Sequence, residues 1–407
     1  MATLKPFQAF RYTSKAGNPS GLLTQPYDKI SPEMQARYLA ASPYNLVRII
    51  LGERFASDTD SDNVYTRAAR HLDDWIRGGI LAQDSLPGFY AYSQEFEVPD
   101  TGERATRQGF IGLGKVEDYS ANVVYRHEQT LSGPKKDRLS LLRQARAHFG
   151  QIFILYPDPE REVDQLLGNG KPLLDVCDDY QARHRLSAIT DPSTIARIQD
   201  LMRAKKLLIA DGHHRYETAL AYRNEKPGDT AAEYVMMTFV NMHSPGLKIL
   251  ATHRVLRKLE SFDARKFFEH AANGWTVTKY DSLEALRDDF RLPKPGRMRI
   301  GVVAGGEGRL LERARNDGEL DVPVLHKEIL GQLGVGEEAV REEKYITYVR
   351  GMDAAISQVR DGAQVAFLLE PTPIEDMARI AFSGGVMPQK STDFYPKLLS
   401  GVTIYCL

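Results

Sequence analysis

Residues 207–220 read Leu-Leu-Ile-Ala-Asp-Gly-His-His-Arg-Tyr-Glu-Thr-Ala-Leu, an apolar run followed by one glycine and five ionisable side chains. Leu207–Ala210 predicts a buried strand. Tyr216, Ala219, Leu220 and Arg223 recur with helical spacing, so Asp211 to Arg215 falls on the turn between strand and helix. A helix that begins there offers N–H groups without partners and the positive end of its macrodipole, both suited to a phosphate. The structural alternative is that Asp211 caps the helix and Arg215 pairs with Glu217 on the surface. Metal binding is disfavoured, because His213 and His214 are adjacent rather than four apart, no H-E-x-x-H occurs and no cysteine pair lies nearby.

The rest of the chain narrows the partners. At 407 residues with 42% hydrophobic content it can fill two or three ordinary cores. Lys plus Arg number 53 against 54 Asp plus Glu, a formal charge of -1, so no global field recruits nucleic acid or an anionic membrane. Cys177 and Cys406 lie far apart in the chain, which argues against a disulfide framework. No segment of signal-peptide length and no run of eighteen apolar residues is present. These observations predict a cytoplasmic protein with a small-molecule substrate, neither nucleic acid nor membrane as partner, and room for a homo-oligomer.

Other segments carry functional groups. Gln25-Pro26-Tyr27-Asp28-Lys29-Ile30-Ser31-Pro32 reads as a proline-restricted loop presenting Asp28, with Ser31 capping a helix that starts at Pro32. Residues 64–78 show an amphipathic helix, and 89–98 alternate as a strand. Residues 126–138 form a polar loop holding His127, Glu128 and Arg138, in which Asp137 is read as the cap of a helix 138–149. Strands follow at 152–156 and 234–242, leading to a second His-Arg pair, His253-Arg254. From about residue 261 helices and strands alternate, which predicts a division into 1–260 and a C-terminal α/β subdomain, 261–407. Gly305-Gly306 reads as a hairpin turn rather than a phosphate loop. The segment 384–397 carries Lys390, Ser391 and Lys397 and is expected to return to the site.

Gln25–Asp28, His127–Thr130, Ile209–Leu220, Gly246–Arg254 and Met387–Lys397 together resemble the signature segments of the bacterial family called domain of unknown function 1015, some of whose members carry SpoOJ, ParA, ParB or RepB names. Gln25 and Lys29 depart from the family's usual residues. The Asp211–Ala219 turn is also similar to the nucleotide-binding turn of the ParB/sulfiredoxin fold and, more closely, to that of free-serine kinases. The resemblance implies a mixed α/β (α+β) fold with a ParB/sulfiredoxin-like nucleotide-binding core. His213 stands where sulfiredoxin has its cysteine, which disfavours sulfinic acid reduction. No basic helix-turn-helix supports DNA partition.

Motifs and resemblance together lead to a small-molecule phosphotransferase using ATP or another phosphoryl donor and Mg2+, with free L-serine or a related hydroxyl compound as acceptor. Asp28, Glu128, Asp211 and His213 are the candidate catalytic groups. Gly212, His214, Arg215, His127, Arg138, His253, Arg254, Lys390, Ser391 and Lys397 are the candidates for holding phosphate or nucleotide; no metal ligands are assigned. A nucleotide-binding regulator that does not turn over, and a metal-dependent hydrolase, remain the alternatives.

Overall fold

The computed structural model describes residues 1–99, 101–128, 132–168 and 172–407. The chain divides into two compact units, one formed by 1–98, 103–248 and 396–407 and the other by 99–102 and 249–395. The boundary therefore falls at 248/249 and not at 260/261. The reason is pairing: Thr252–Leu256 forms antiparallel ladders with Ile346–Arg350 and Val365–Leu368 and belongs to the second unit's sheet. Residues 396–407, expected with the C-terminal subdomain, rejoin the first unit.

The first unit is built on a nine-stranded mixed sheet. Its order in space is Val124–Tyr125, Leu207–Asp211, Ile152–Tyr156, Tyr234–Asn241, Arg104–Lys115, Phe89–Glu97, Arg183–Ile189 and Leu174–Cys177, with Leu4–Lys5 also paired to Arg104–Lys115. Leu207–Asp211 runs parallel to Val124–Tyr125, and Tyr234–Asn241 parallel to Ile152–Tyr156; the other ladders are antiparallel. Ile152–Tyr156 and Tyr234–Asn241 are buried along their whole length and are largely apolar, as strands covered on both faces are.

Strand alternation divides the sheet's two faces. Phe89, Ala91, Phe110, Ile152, Ile154, Val235, Met237 and Phe239 form one core with Tyr216 and Ala219 of the helix His213–Glu225 and Ile195, Ile198 and Met202 of the helix Pro192–Arg203. The opposite face carries Tyr92, Gln94, Arg107 and Phe153. Residues 396–401 run along it, with the Leu399 N–H 3.4 Å from the Tyr92 hydroxyl and the Gly401 N–H donating to Phe149 O at 2.9 Å.

The second unit holds a six-stranded, fully antiparallel sheet in the order Thr276–Tyr280, Glu307–Ala314, Arg297–Ala304, Val365–Leu368, Thr252–Leu256, Ile346–Arg350. Ala304 pairs with Glu307 across a two-residue turn, where Gly305 and Gly306 have φ of 59° and 79°. Positive φ at both central residues is what a tight hairpin of the right twist requires, and glycine adopts it without a Cβ clash. Among the described residues no helix is long and apolar enough to cross a membrane.

Two local expectations change. The helix expected at 138–149 spans Ser132–Ala145, so Asp137 lies inside it and not at its cap. There Asp137 receives Arg54 and the Tyr65 hydroxyl at 2.6 and 2.8 Å. Ser31 does cap the helix Pro32–Ala41, accepting the Met34 N–H at 3.2 Å.

Candidate functional site

The strand Leu207–Asp211 ends on a register shift against Ile152–Tyr156, which turns Asp211 toward Phe153. Gly212 follows in the left-handed region, φ 93°, and the helix begins at His213. Two constraints select glycine. The conformation costs an ordinary residue about 1–2 kcal/mol, and a Cβ would sit 3.0 Å from the Arg215 guanidinium, which folds back over this residue. No side chain caps the helix. The first-turn N–H groups have no acceptor within the helix and lie beside the positive end of its dipole.

Asp211 therefore does not cap the helix: its Oδ1 accepts the adjoining Gly212 N–H, at 2.8 Å. Its Oδ2 lies 3.4 Å from Lys397 Nζ and 3.9 Å from Arg215. Burial opposes its ionisation, but Lys397, Arg215, Lys29 and His213 outweigh burial and hold the carboxyl below its ordinary value. Nor does Arg215 pair with Glu217. Arg215 Nη1 donates to Gln151 O, while Glu217 meets Lys135 and, at 3.5 Å, Arg126.

His213 and His127 pack edge to face with ring centroids 4.8 Å apart. His127 is fully buried, and its Nδ1–H donates to Ile209 O at 2.8 Å, which fixes the tautomer and leaves Nε2 the lone pair. Burial pushes His127 down to about 4, with Ile209 O and Asp211 pulling back. Burial also holds His213 well below its ordinary value, helped by His127, and its Nε2 has no hydrogen-bond partner among the described residues.

A polar row absent from the sequence reading crosses the opposite face of the sheet. His184, Gln94 and Arg107 are direct cross-strand partners on three adjacent strands. Arg107 is 1% exposed; it donates through Nε to Gln94 Oε1 at 3.0 Å and through Nη2 to Gln94 and to Pro396 O, and lies 4.7 Å from the Phe153 ring. Burial lowers it to about 9, with Tyr92 and Asp211 opposing. Gln94 Nε2 donates to Lys397 O at 2.9 Å, so the row grips the backbone of the residue whose ammonium faces Asp211. Beyond Gln94, His184 bonds the Tyr92 hydroxyl at 2.6 Å and faces Asp178 at 3.3 Å. Strand register alone joins these residues; polar side chains at inward positions of alternating strands were the available signal.

Arg215 also lines a small cleft. Tyr27, Arg138, Gly150 and Ser400 line it with the apolar Leu141, Leu142, Ala147, Phe149 and Val235. Arg138 was expected to hold phosphate. Its Nη1 donates to Ile50 O at 2.7 Å and its Nε to Asp137 at 2.8 Å, and its Cζ lies 4.1 Å from the Tyr27 ring centroid.

The remaining expected residues are dispersed. Asp28 is exposed on the short helix Tyr27–Lys29, and Glu128 is half-buried directly after His127. Gln129 and Thr130 lie outside the described residues. His214 follows His213 on the first helical turn, and its carbonyl accepts the Thr218 hydroxyl at 2.7 Å. His253, Arg254, Lys390 and Ser391 belong to the second unit. There His253 Nδ1 accepts the Leu369 N–H at 3.2 Å, so Nδ1 carries the lone pair. Arg254 donates to Lys390 O at 3.0 Å, and the Ser391 hydroxyl to Pro388 O at 2.7 Å. No group of three or more His, Cys, Asp or Glu side chains among the described residues is arranged to hold a metal ion.

A family model described as "Protein of unknown function (DUF1015)" matches residues 4–353. The chain belongs to the DUF1015 family. No curated protein matches it. Among solved structures, this DUF1015 chain is similar to a free serine kinase variant in complex with ADP, at 12% identity and TM-score 0.37, covering 67% of this chain and 84% of the other. It is similar at 12% identity to a conserved hypothetical protein from Pyrococcus furiosus, TM-score 0.36, covering 68% and 89%. Likeness to C-terminally truncated SbnI from Staphylococcus aureus is also 12% identity, with TM-score 0.35 and coverage of 72% and 87%.

Proposed function

We propose that this DUF1015 chain is a phosphotransferase that moves a phosphoryl group from ATP or another phosphate anhydride to the hydroxyl of a small molecule such as free L-serine, on a ParB/sulfiredoxin-like nucleotide-binding core. The observation that carries the reading is the convergence of charge at the turn: Lys397, at 3.4 Å, Arg215, at 3.9 Å, and Lys29 all act on the carboxylate of Asp211, at the N-terminus of a thirteen-residue helix. Cations that converge beside a helix dipole match the polyanion that phosphoryl transfer must neutralise and align.

In this reading Arg215, Lys397 and the N–H groups of the first helical turn hold the transferring phosphates, with His214 at their edge. Asp211 orients the acceptor hydroxyl; a carboxylate held ionised this firmly accepts a hydrogen bond better than it removes a proton. The hydroxyl oxygen forms a bond to the terminal phosphorus, the bond from phosphorus to the leaving phosphate oxygen breaks, and the hydroxyl proton passes to the Nε2 of neutral His213. Mg2+ fits only as an ion carried largely by the substrate phosphates, with Asp211 as the protein ligand, since that ion commonly takes one or two carboxylates and keeps its waters. It would neutralise developing charge.

The test is a coupled assay of ADP formation with ATP, Mg2+ and a panel of free amino acids and hydroxy acids against an acceptor-free control. The expected result is acceptor-dependent ADP that falls about 100-fold or more in Arg215→Ala and drops in His214→Ala. Saturable ATP binding with no turnover for any acceptor would replace this reading with that of a nucleotide-responsive regulator.

A further inference from the structure

Lys397 reaches Asp211 on a flexible four-carbon stem, so the place of its ammonium depends on how its backbone is held. Gln94 Nε2 donates to Lys397 O at 2.9 Å, and Arg107 Nη2 donates to Pro396 O, the carbonyl one residue earlier. Arg107 Nε also donates to Gln94 Oε1 at 3.0 Å, so the amide that holds Lys397 is itself held. Two consecutive carbonyls are thus gripped from one face of the sheet. The Tyr92 hydroxyl lies 3.4 Å from the Leu399 N–H, two residues further on.

The row has a firm far end. Asp178 faces His184 Nε2 at 3.3 Å, accepts the N–H groups of Tyr180 and Ala182 at 2.8 and 2.9 Å, and takes Gln25 Nε2 at 3.0 Å. Beside Gln25, Thr24 and Ser400 exchange backbone hydrogen bonds at 3.4 and 2.9 Å, which ties down the chain just after Lys397 as well. Holding such a row together takes a buried guanidinium that has given up its hydration. Packing alone would be served as well by apolar side chains of similar volume. A polar row in this position points to the placement of what it grips, and that segment ends in Lys397 Nζ, 3.4 Å from Asp211.

We infer that Gln94 and Arg107 are positioning residues: they hold the backbone of Pro396 and Lys397 so that the Lys397 ammonium stands beside Asp211, and they act on a bound anion through that ammonium. This rests on the phosphotransferase reading only for what the placed ammonium serves.

The experiment compares the full chain as wild type, Gln94→Met, Gln94→Glu, Lys397→Met, and each Gln94 variant combined with Lys397→Met. The first readout is the rate at which an N-hydroxysuccinimide ester acylates Lys397, followed by peptide mass spectrometry, with Lys205, which faces Asp158 at 3.2 Å in the same unit, as internal reference. Expected is acylation of Lys397 about tenfold faster in both Gln94 variants, with Lys205 unchanged. Gln94→Glu keeps an acceptor for Arg107 and loses the donation to Lys397 O, so it carries the test if Gln94→Met does not fold. The second readout is equilibrium titration with ATP. Each Gln94 variant should weaken ATP about tenfold, and its combination with Lys397→Met should bind no more weakly than Lys397→Met, because both changes remove one contact. An unchanged rate at Lys397, a rate that rises together with that of Lys205, or losses that add in the combined variants would overturn the positioning and leave the phosphotransferase reading in place. A wild type that binds no ATP removes the phosphotransferase reading, while faster acylation confined to Lys397 still assigns its placement to Gln94.

Discussion

Each unit contains a cluster of buried or half-buried arginine and carboxylate, and the two differ in how their charges add up. In the second unit Arg299 is fully buried, with Asp289 and Glu370 at 3.3 Å and Glu312 at 3.6 Å. Arg315 meets Asp321 at 2.7 Å and Glu370 at 3.5 Å, Arg297 meets Glu312 at 2.9 Å, and Lys294 meets Asp289 at 3.2 Å. Four cations face four carboxylates, and backbone carbonyls of Asp289 and Leu292 take more of the Arg299 donors at 2.8 and 2.6 Å. In the first unit Lys397, Arg215 and Lys29 all act on Asp211. A matched cluster does work for the fold; on the proposed function, cations that converge on one carboxylate at a helix start serve an incoming anion.

The largest effect should come from the matched side. Arg299→Ala takes a fully buried cation from among Asp289, Glu312 and Glu370 and should cost about 3–5 kcal/mol in urea denaturation; a loss below about 1 kcal/mol would remove the distinction between the clusters. Gly212→Ala comes next, at about 1–2 kcal/mol from left-handed strain alone, with Arg215 pushed out of place and ATP binding weakened. If that variant binds ATP as the wild type does, the turn is not where the anion sits.

The third prediction concerns acid. His127 titrates at about 4 in the folded chain and near 6.5 when unfolded, so between those values the unfolded chain holds one more proton and stability falls as pH falls. His148 and His253, also lowered to about 4 by burial, add in the same direction. Asp211, lowered instead from the carboxylate range, adds its loss only below about pH 4. Denaturation at a series of pH values should show His127→Gln reducing the slope between pH 6 and 5 by about 1.4 kcal/mol per pH unit. An unchanged slope would mean that His127 is protonated in the native state.

The smallest stability change should come from Lys397→Met, within about 0.5 kcal/mol of the wild type, because Arg215 and Lys29 still act on Asp211. ATP affinity should nonetheless fall about tenfold in the same titration. Loss of stability comparable to that of Arg299→Ala would show that Lys397 is structural.

The turn was legible because everything it needs is local: four apolar residues, a glycine at the one position that demands positive φ, and helical spacing afterwards. The hairpin at Gly305-Gly306 was readable for the same reason. His184, Gln94 and Arg107 were not, since each looks like an ordinary polar residue in a strand until register sets the three side by side. Arg138 shows a further limit. Its position near the site was suggested by the sequence, but its engagement by Asp137 and Ile50 O depended on a helix that starts six residues earlier than expected. The assignment of residues 396–407 to the first unit likewise rests on contacts between segments far apart in the chain.

That return of the chain has a consequence for biosynthesis. Pro396 and Lys397, which meet Arg107 and Asp211, emerge from the ribosome only after residues 249–395 have been made. At typical elongation rates this interval is on the order of ten seconds. Throughout it the nascent first unit has its turn, its helix and Arg215 but lacks the ammonium of Lys397 and the carbonyl that receives Arg107, so on the proposed function its capacity for an anion arrives as a late step, set by translation and not by folding of the sheet.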